Sequence, residues 1–130
     1  MKKIEDRKEE IAVSFSNGNF ETTFPYLSES IVWHIVGENT FKGKPEVVAH
    51  CKQTAEYFKM VQTEFITDDV MVTDSKIVVR GSAEFFRNGK QLNHILACDV
   101  YEFNNKKLES IHSYCIPIKK RDKMKETNRT

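Results

Sequence analysis

A histidine and an aspartic acid, each within an apolar stretch, are the residues best suited to acid–base chemistry in this sequence. His34 lies in the otherwise apolar segment 31–36, and imidazole titrates near neutral pH, so it can accept and return a proton in one turnover. Asp99 lies between Cys98 and Val100, where an unpaired carboxylate is costly and tends to stay protonated. These two residues predict proton transfer in a dry environment.

Each of the two residues also has a purely structural interpretation. A histidine in an apolar strand is often a core residue whose hydrogen bonds are satisfied. A buried carboxylate can be held in an ion pair, and Arg80 is the partner that the predicted strand pairing offers to Asp99. The residues themselves leave both interpretations open.

Other chemistry has little support from residue spacing. His50, on the inward side of a predicted helix, and His94, in a predicted hairpin, are expected to be structural or interfacial, and the sequence does not decide which sheet face His94 occupies. No HxH, HExxH or glycine-rich phosphate motif occurs, and no cysteine lies in a nucleophile motif. We therefore predict no metal site and no cofactor.

Length and composition predict one domain, at 1–118. The chain has 130 residues, of which 39% are hydrophobic and 30% charged, and this is typical of a folded protein with a single core. A net charge of +1 argues against nucleic acid as a partner, and no apolar run approaches a membrane span. The segment 119–130, with six basic and two acidic residues, is predicted to be a flexible tail. Three cysteines without a CxxC pair indicate reduced thiols, so we predict a cytoplasmic protein.

Helical and strand-like spacings occur in two successive blocks. Apolar residues first recur three or four positions apart, with one strand-like stretch among the helices, and the period then changes to two. Helices followed by consecutive strands are typical of an α+β fold with an antiparallel meander. The predicted helices run from 4 to the turn at 17–19, over 20–27 and over 45–58, and the predicted strands cover 31–36, 61–73, 76–87, 90–103 and 107–117.

The turn Asn88-Gly89 fixes the predicted register of the longest hairpin, because both residues accept the positive φ of a type I′ turn. Pairing outward from this turn sets Val78 opposite Asp99 and places Arg80 on the same face as Asp99. Both faces are then half apolar or more, which is unusual for a sheet with one side in water. Either a homodimer covers the second face or a bulge shifts the register. The apolar stripe of that second face consists of Leu92, Leu96, Cys98 and Val100.

Several short sequence stretches, taken together in their order and spacing, allow the chain to be compared with known protein families. They are Asn17-Gly18-Asn19-Phe20, the segment 26–33 with the sequence YLSESIVW, Phe41-x-Gly43, and the segment 98–103 with the sequence CDVYEF followed by Lys107-Leu108. Together they resemble the nuclear transport factor two-like superfamily, which includes ketosteroid isomerase and the SnoaL-like polyketide cyclases, over residues 5–117. The resemblance implies an α+β cone, in which three N-terminal helices pack on a strongly curved, mainly antiparallel mixed sheet and close a pocket.

The resemblance also implies roles for individual residues. Following the isomerase pattern along the chain without a gap places His34 at the position of the catalytic base and Asp99 at the position of the oxyanion-stabilising aspartic acid. A carboxyl held neutral there can donate a hydrogen bond to a developing oxyanion. The helix-one tyrosine of the isomerase falls on Ile11, which argues against ketosteroid isomerisation itself.

These expectations describe a pocket protein for a small apolar or aromatic organic ligand. One hypothesis is a cofactor-independent isomerase, cyclase or dehydratase that uses His34 and Asp99 for proton transfer. The alternative is a non-catalytic ligand-binding module or a dimeric assembly module of the same fold, since activity varies widely within one fold. The other predicted pocket residues are Trp33, Phe41, His50, Tyr57, Phe58, Arg80, Tyr101 and Ser113.

Overall fold

Two α-helices, one 3₁₀ helix and six β-strands make up the part of the chain that the structure describes. The structure is a computed structural model, and it describes residues 4–118, with side chains from Arg7 onward. The predicted tail at 119–130 lies outside the described residues. In chain order the elements are α1 (Ile4–Ser16), the 3₁₀ helix (Glu21–Tyr26), β1 (Leu27–Ile35), β2 (Asn39–Lys42), α2 (Lys44–Met60), β3 (Gln62–Val72), β4 (Lys76–Arg87), β5 (Lys90–Asn104) and β6 (Lys107–Pro117).

Local sequence explains where the helices begin and end. α1 ends before Gly18, whose φ of +81° is a left-handed conformation that glycine adopts without strain. α2 carries Pro45 in its first turn, where the missing N–H costs no hydrogen bond. The short helix predicted at 20–27 is a 3₁₀ helix with Pro25 inside it, and proline cannot donate the hydrogen bond of an α-helix. Neither α-helix in residues 4–118 has the length and apolar character needed to cross a membrane.

The strands form one mixed sheet in the order β2-β1-β6-β5-β4-β3. β1 and β6 run parallel, and the other neighbouring strands run antiparallel. The predicted α+β class and the mainly antiparallel mixed sheet are confirmed. Two details differ from the sequence prediction. β1 begins at Leu27 rather than Ile31, and β2 lies in a segment predicted to be a loop.

A bulge in the hairpin of β4 and β5 changes which residues share a face. The turn at Asn88-Gly89 forms with positive φ at both residues, as predicted. The pairing then skips Leu92, so that Arg80 lies opposite Cys98 and not opposite Ala97. Beyond the bulge, the pairing of β5 with β4 is shifted by one residue. β5 residues that were predicted to share a face with a given β4 residue therefore lie on the opposite face from it.

The predicted ion pair between Arg80 and Asp99 is therefore wrong. Arg80 is exposed, and its Nε donates a hydrogen bond of 2.9 Å to Oδ2 of Asp69. Its Nη1 lies 3.9 Å from Oδ2 of Asp68. Arg80 thus belongs to an exposed charge cluster with β3, on the side of the sheet away from Asp99.

The two faces of the sheet differ in what covers them. α1 and α2 pack on one side, here called the helix face, and the opposite side is called the outer face. Residues paired across β1, β6, β5 and β4 show the alternation: Ile35, Ser113, Asp99 and Val79 share the helix face, and His34, His112, Val100 and Val78 share the outer face. The largest fully buried side chains lie in the layer between the helix face and the helices, and each buried leucine or isoleucine there contributes about 1.5–3 kcal/mol. They include Tyr101, Leu27, Ile31, Ile77, Leu108 and Ile111.

Candidate functional site

A cavity of about 340 Å³ opens between the helix face of the sheet and the two α-helices. Its walls are mostly apolar, as in pockets that bind small organic molecules. Among the described residues that line it, none is a lysine or an arginine, whereas Glu38 and Asp99 are acidic. Seven aromatic side chains line it: Phe15, Phe20, Trp33, Tyr57, Phe58, Phe65 and Phe85.

Asp99 places a carboxyl group in this apolar cavity. It lies on β5 and is only 8% exposed. Burial raises the pKa of Asp99 above its ordinary value of 3.8, and hydrogen bonds from the hydroxyls of Ser113 and Ser16 lower it in part. The Ser16 Oγ to Asp99 Oδ2 distance is 2.8 Å. The neutral acid therefore persists to higher pH than in an exposed aspartic acid.

Two short hydrogen-bond chains converge on Asp99. The indole N–H of Trp33 can only donate, and it donates to Oγ of Ser113 at 3.0 Å, which leaves the Ser113 hydrogen for Asp99. Ser16 donates to Asp99, so the 2.5 Å contact between Ser16 Oγ and the Tyr101 hydroxyl has Tyr101 as its donor. Both serine hydrogens are thus used on Asp99, so when the carboxyl is protonated its own proton is available for donation into the cavity.

His50, on α2, is the histidine that lines the cavity. Its ring stacks on Phe41 at 4.1 Å between centroids and meets Trp33 edge-on at 5.2 Å. Burial lowers the pKa of His50 from 6.5, although a hydrogen bond with Gln53 and the charge of Glu38 raise it in part. A neutral imidazole is therefore the favoured form near pH 7, and this form can accept a proton.

His34 does not reach the cavity. Side chains alternate along β1, so Trp33 and Ile35 line the cavity and His34 lies on the outer face. There its Nδ1 shares a hydrogen bond with the Thr40 hydroxyl, and its ring centroid lies 5.7 Å from that of His112. The expectation that His34 and Asp99 point into one hollow is wrong, because the two side chains are on opposite sides of the sheet.

The other predicted pocket residues fall into three groups. Trp33, His50, Tyr57, Phe58 and Ser113 line the cavity together with Asp99. Phe41 and Tyr101 lie behind its wall, packed against His50 and bonded to Ser16. Arg80 lies outside the site on the outer face. His94 also lies on the outer face, opposite Glu84 in the backbone pairing of β4 and β5. Its buried Nδ1 has no hydrogen-bond partner within residues 4–118.

Sequence reasoning missed several residues of the cavity. Ser16 is the most important of these, because it supplies a hydroxyl beside Asp99 whereas Ile11, at the position of the isomerase tyrosine, is buried in the core. Cys115 could have been found by counting two residues on from Ser113 in β6. Burial raises the pKa of Cys115 to about 11, so its thiol stays protonated and is a poor nucleophile. Asn93 could have been found in the same way, by counting in steps of two along β5 from Asp99.

No cluster of three or more His, Cys, Asp or Glu residues suited to a metal ion occurs within the described part of the chain. The cavity itself offers a carboxyl, an imidazole and hydroxyl groups for chemistry.

Solved structures with the same fold include proteins whose descriptions name an enzyme class. A protein described as a SnoaL-like polyketide cyclase from Jannaschia sp. is 11% identical in sequence, with a TM-score of 0.67, and the match covers 88% of this chain and 89% of that chain. An LEH-like epoxide hydrolase from M. tuberculosis is 14% identical, with a TM-score of 0.59 and coverage of 87% and 82%. At these identities the likeness shows the fold alone. No protein-family model and no curated protein sequence matches the chain.

An NTF2-like protein from Cytophaga hutchinsonii is similar in sequence as well as in fold. It is 30% identical, with a TM-score of 0.80, and the match covers 88% of this chain and 100% of that chain. NTF2 stands for nuclear transport factor two. The residue stretches, the sheet order and this match agree, and the chain belongs to the nuclear transport factor two-like superfamily.

Proposed function

We propose that the protein binds an uncharged small organic molecule in the cavity and moves a proton on it, as a cofactor-independent isomerase, cyclase or dehydratase. One observation carries the proposal: a buried carboxyl whose pKa is raised by burial lines the same apolar cavity as a partly buried imidazole whose pKa is lowered by burial. The acid donor is Asp99, and His50 takes the base role that the sequence assigned to His34. The likeness in fold to a polyketide cyclase and an epoxide hydrolase supports a ligand-binding role.

The walls of the cavity favour a ligand without negative charge. An anion would find no lysine or arginine among the described lining residues, and it would face the carboxylate of Glu38. Aromatic walls suit a flat or apolar ligand body. At Asp99 the site offers a donor, so the ligand group that fits there is an acceptor oxygen such as a carbonyl.

The proposed step is removal of a proton from the carbon next to a carbonyl. Nε2 or Nδ1 of His50 takes the proton, and the electron pair of the broken C–H bond moves into the carbonyl group. Asp99 donates a hydrogen bond to the oxygen on which negative charge develops. Return of the proton from His50 to a different carbon completes an isomerisation. In a dehydration, a hydroxyl on the next carbon takes the proton from His50 and leaves as water, while the electron pair of the enolate forms the new C=C bond.

Binding can be tested with three probes of similar shape: acetophenone, ethylbenzene and benzoate. We expect acetophenone to bind about 2- to 10-fold more tightly than ethylbenzene, because one hydrogen bond to Asp99 contributes about 0.5–1.5 kcal/mol. Benzoate is expected not to bind. Trp33 is the only tryptophan of the chain and lines the cavity, so its indole N–H signal in NMR spectra reports binding directly. Tighter binding of benzoate than of acetophenone, or no shift with any probe, would contradict the proposal.

The outer face supports a second role, assembly of a homodimer. Several large apolar side chains of the described residues are well exposed there, among them Leu96 at 42%, Tyr114 at 45% and Ile116 at 63% of their surface. They are neighbours, since Leu96 pairs with Ile116 and Cys98 with Tyr114. Contiguous exposed apolar groups of this kind are typical of protein interfaces. A dimer through this face is compatible with either a catalytic or a purely ligand-binding cavity.

Light scattering at micromolar concentration is expected to report a dimer. Ile116→Glu should weaken the dimer by at least about ten-fold, because the variant buries an unpaired charge at the interface. Met60→Glu is the matched control, since Met60 is 69% exposed on α2, away from the outer face. A monomer in the unsubstituted protein, or equal effects of the two variants, would rule out this interface.

A further inference from the structure

A second, much smaller cavity lies against Asp99, on the side of β3 and β4. Its volume is about 30 Å³. Asn17, Thr67 and Gly81 line it but do not line the ligand cavity. Asp99 is therefore in contact with two spaces, the ligand cavity and this smaller one. The residues that line both are Ser16, Phe65, Ala83, Ala97 and Asp99.

The backbone of β3 and β4 creates this space. The register between the two strands shifts between Thr67 and Asp69, so that Asp68 has no partner in the pairing. Thr67 pairs with Gly81, and a Cβ added to Gly81 would collide with the carbonyl oxygen of Ile66. Only glycine lets the bulged β3 backbone come this close to β4. The space beside Asp99 is thus a built feature of the bulge.

The walls of the small cavity are polar where they approach solvent. The side chains of Asn17 and Thr67 make two long contacts at its outer end, of 3.4 Å from Nδ2 to Oγ1 and 3.5 Å from Oγ1 to Oδ1. Thr67 is exposed, whereas Asp99 is buried at the inner end. A bound water needs about 10–15 Å³ of such space and two to four polar partners. Asn17, Thr67, Ser16 and Asp99 supply enough of them for one water.

We infer that the small cavity binds a single water molecule that connects Asp99 with solvent past the Asn17–Thr67 pair. The site does not pass through the ligand cavity, so it stays open when a ligand fills that cavity. Asp99 exchanges its proton with solvent by this route. The use of this route to restore the acid between turnovers rests on the proposed function, whereas the water site itself does not.

A crystal structure of the ligand-free protein at atomic resolution tests the site directly. We expect density for one water within hydrogen-bond distance of an Asp99 carboxyl oxygen and of Asn17 or Thr67. Thr67→Val replaces the hydroxyl with a methyl group of the same size, and in this variant the density is expected to be lost. Thr63→Val is the control, because Thr63 lies four residues earlier on β3 and lines neither cavity. Absence of the water in the unsubstituted protein would overturn the inference.

The proton route is tested by NMR, through exchange of the buried Tyr101 hydroxyl proton with water. Tyr101 is linked to Asp99 by Ser16, so its exchange reports access to that chain. With saturating ethylbenzene in the ligand cavity, exchange in the unsubstituted protein should stay fast, and Thr67→Val should slow it by about ten-fold. Equal rates in Thr67→Val and Thr63→Val would refute the route. If no probe binds, the proposed function fails, and the crystallographic comparison of Thr67→Val with Thr63→Val still decides the water site.

Discussion

Replacing His50 with alanine is expected to slow the exchange of the methyl protons of acetophenone for deuterium by about 10²- to 10⁴-fold, because the cavity loses its general base. These protons lie on the carbon next to the carbonyl, so their exchange requires the proton removal that we propose. Proton NMR in heavy water, with the protein in catalytic amount, measures the rate without knowledge of the natural substrate. The rate in the unsubstituted protein should also fall at low pH, where His50 becomes protonated.

Two further variants separate the base role of His50 from its packing role. His50→Phe keeps an aromatic ring against Phe41 and Trp33 but has no nitrogen, and it should be as slow as His50→Ala. His34→Ala changes the outer face alone and should leave the exchange rate unchanged. If His34→Ala slows exchange as much as His50→Ala, or if His50→Phe retains the full rate, His50 is not the base.

The fold was largely readable from the sequence because its strongest signals are local. The Asn88-Gly89 turn, the glycine after α1 and the change of period near residue 61 each depend on a few neighbouring residues. The second helix lies within its predicted segment, but the apolar spacing did not show its 3₁₀ type, which depends on hydrogen bonds that Pro25 restricts. Short β2 carried no periodic signal that could have revealed it.

The site was harder to predict because it depends on which side of the sheet a residue faces. Side chains alternate with a period of two, so a one-residue error moves a residue to the opposite face. The bulge at Leu92 is one such shift, and it separated Arg80 from Asp99. His34 is the other case, since counting along a family pattern gave its position but not its side. Its neighbours Trp33 and Ile35 reach the cavity instead.

The burial of Asp99 was predicted more successfully than the surroundings of this residue. Asp99 stood out because a carboxyl in an apolar strand is unusual, and its buried position agrees with that interpretation. Its partner Ser16 lies 83 residues away at the end of α1, and only tertiary packing brings the two together. A helix-terminal serine has no sequence signal that distinguishes it from an ordinary surface residue.

The free energy of unfolding should depend on pH through Asp99, with a sign that the structure fixes. Burial raises the pKa of Asp99 in the folded protein above 3.8, so the folded state holds a proton that the unfolded chain releases. The contribution of Asp99 to the free energy of unfolding is therefore greatest below pH 3.8, and it falls as the pH rises toward the raised pKa of the folded state. Each unit of pKa difference corresponds to about 1.4 kcal/mol.

Asp99→Asn removes this dependence, because an amide does not titrate in this range. The amide has one accepting oxygen for two serine hydroxyls, so the weakened hydrogen bonding should lower the free energy of unfolding by about 1 kcal/mol, and this part of the effect does not depend on pH. The difference in unfolding free energy between the variant and the unsubstituted protein should nevertheless shift in favour of the variant as pH rises. Urea denaturation at a series of pH values measures this difference. Asp74→Asn, at an exposed carboxyl in the β3–β4 turn, is the control and should follow the unsubstituted protein.

The ionisation of Asp99 can also be measured independently, through the pH dependence of ligand affinity. A carboxylate cannot donate a hydrogen bond, so the affinity for acetophenone should fall over the pH range in which Asp99 ionises, and the affinity for ethylbenzene should not. In Asp99→Asn the acetophenone affinity should be independent of pH, because the amide N–H remains a donor throughout. A pH-independent affinity in the unsubstituted protein, together with a stability curve parallel to that of Asp99→Asn, would show that Asp99 is not the titrating donor of the cavity.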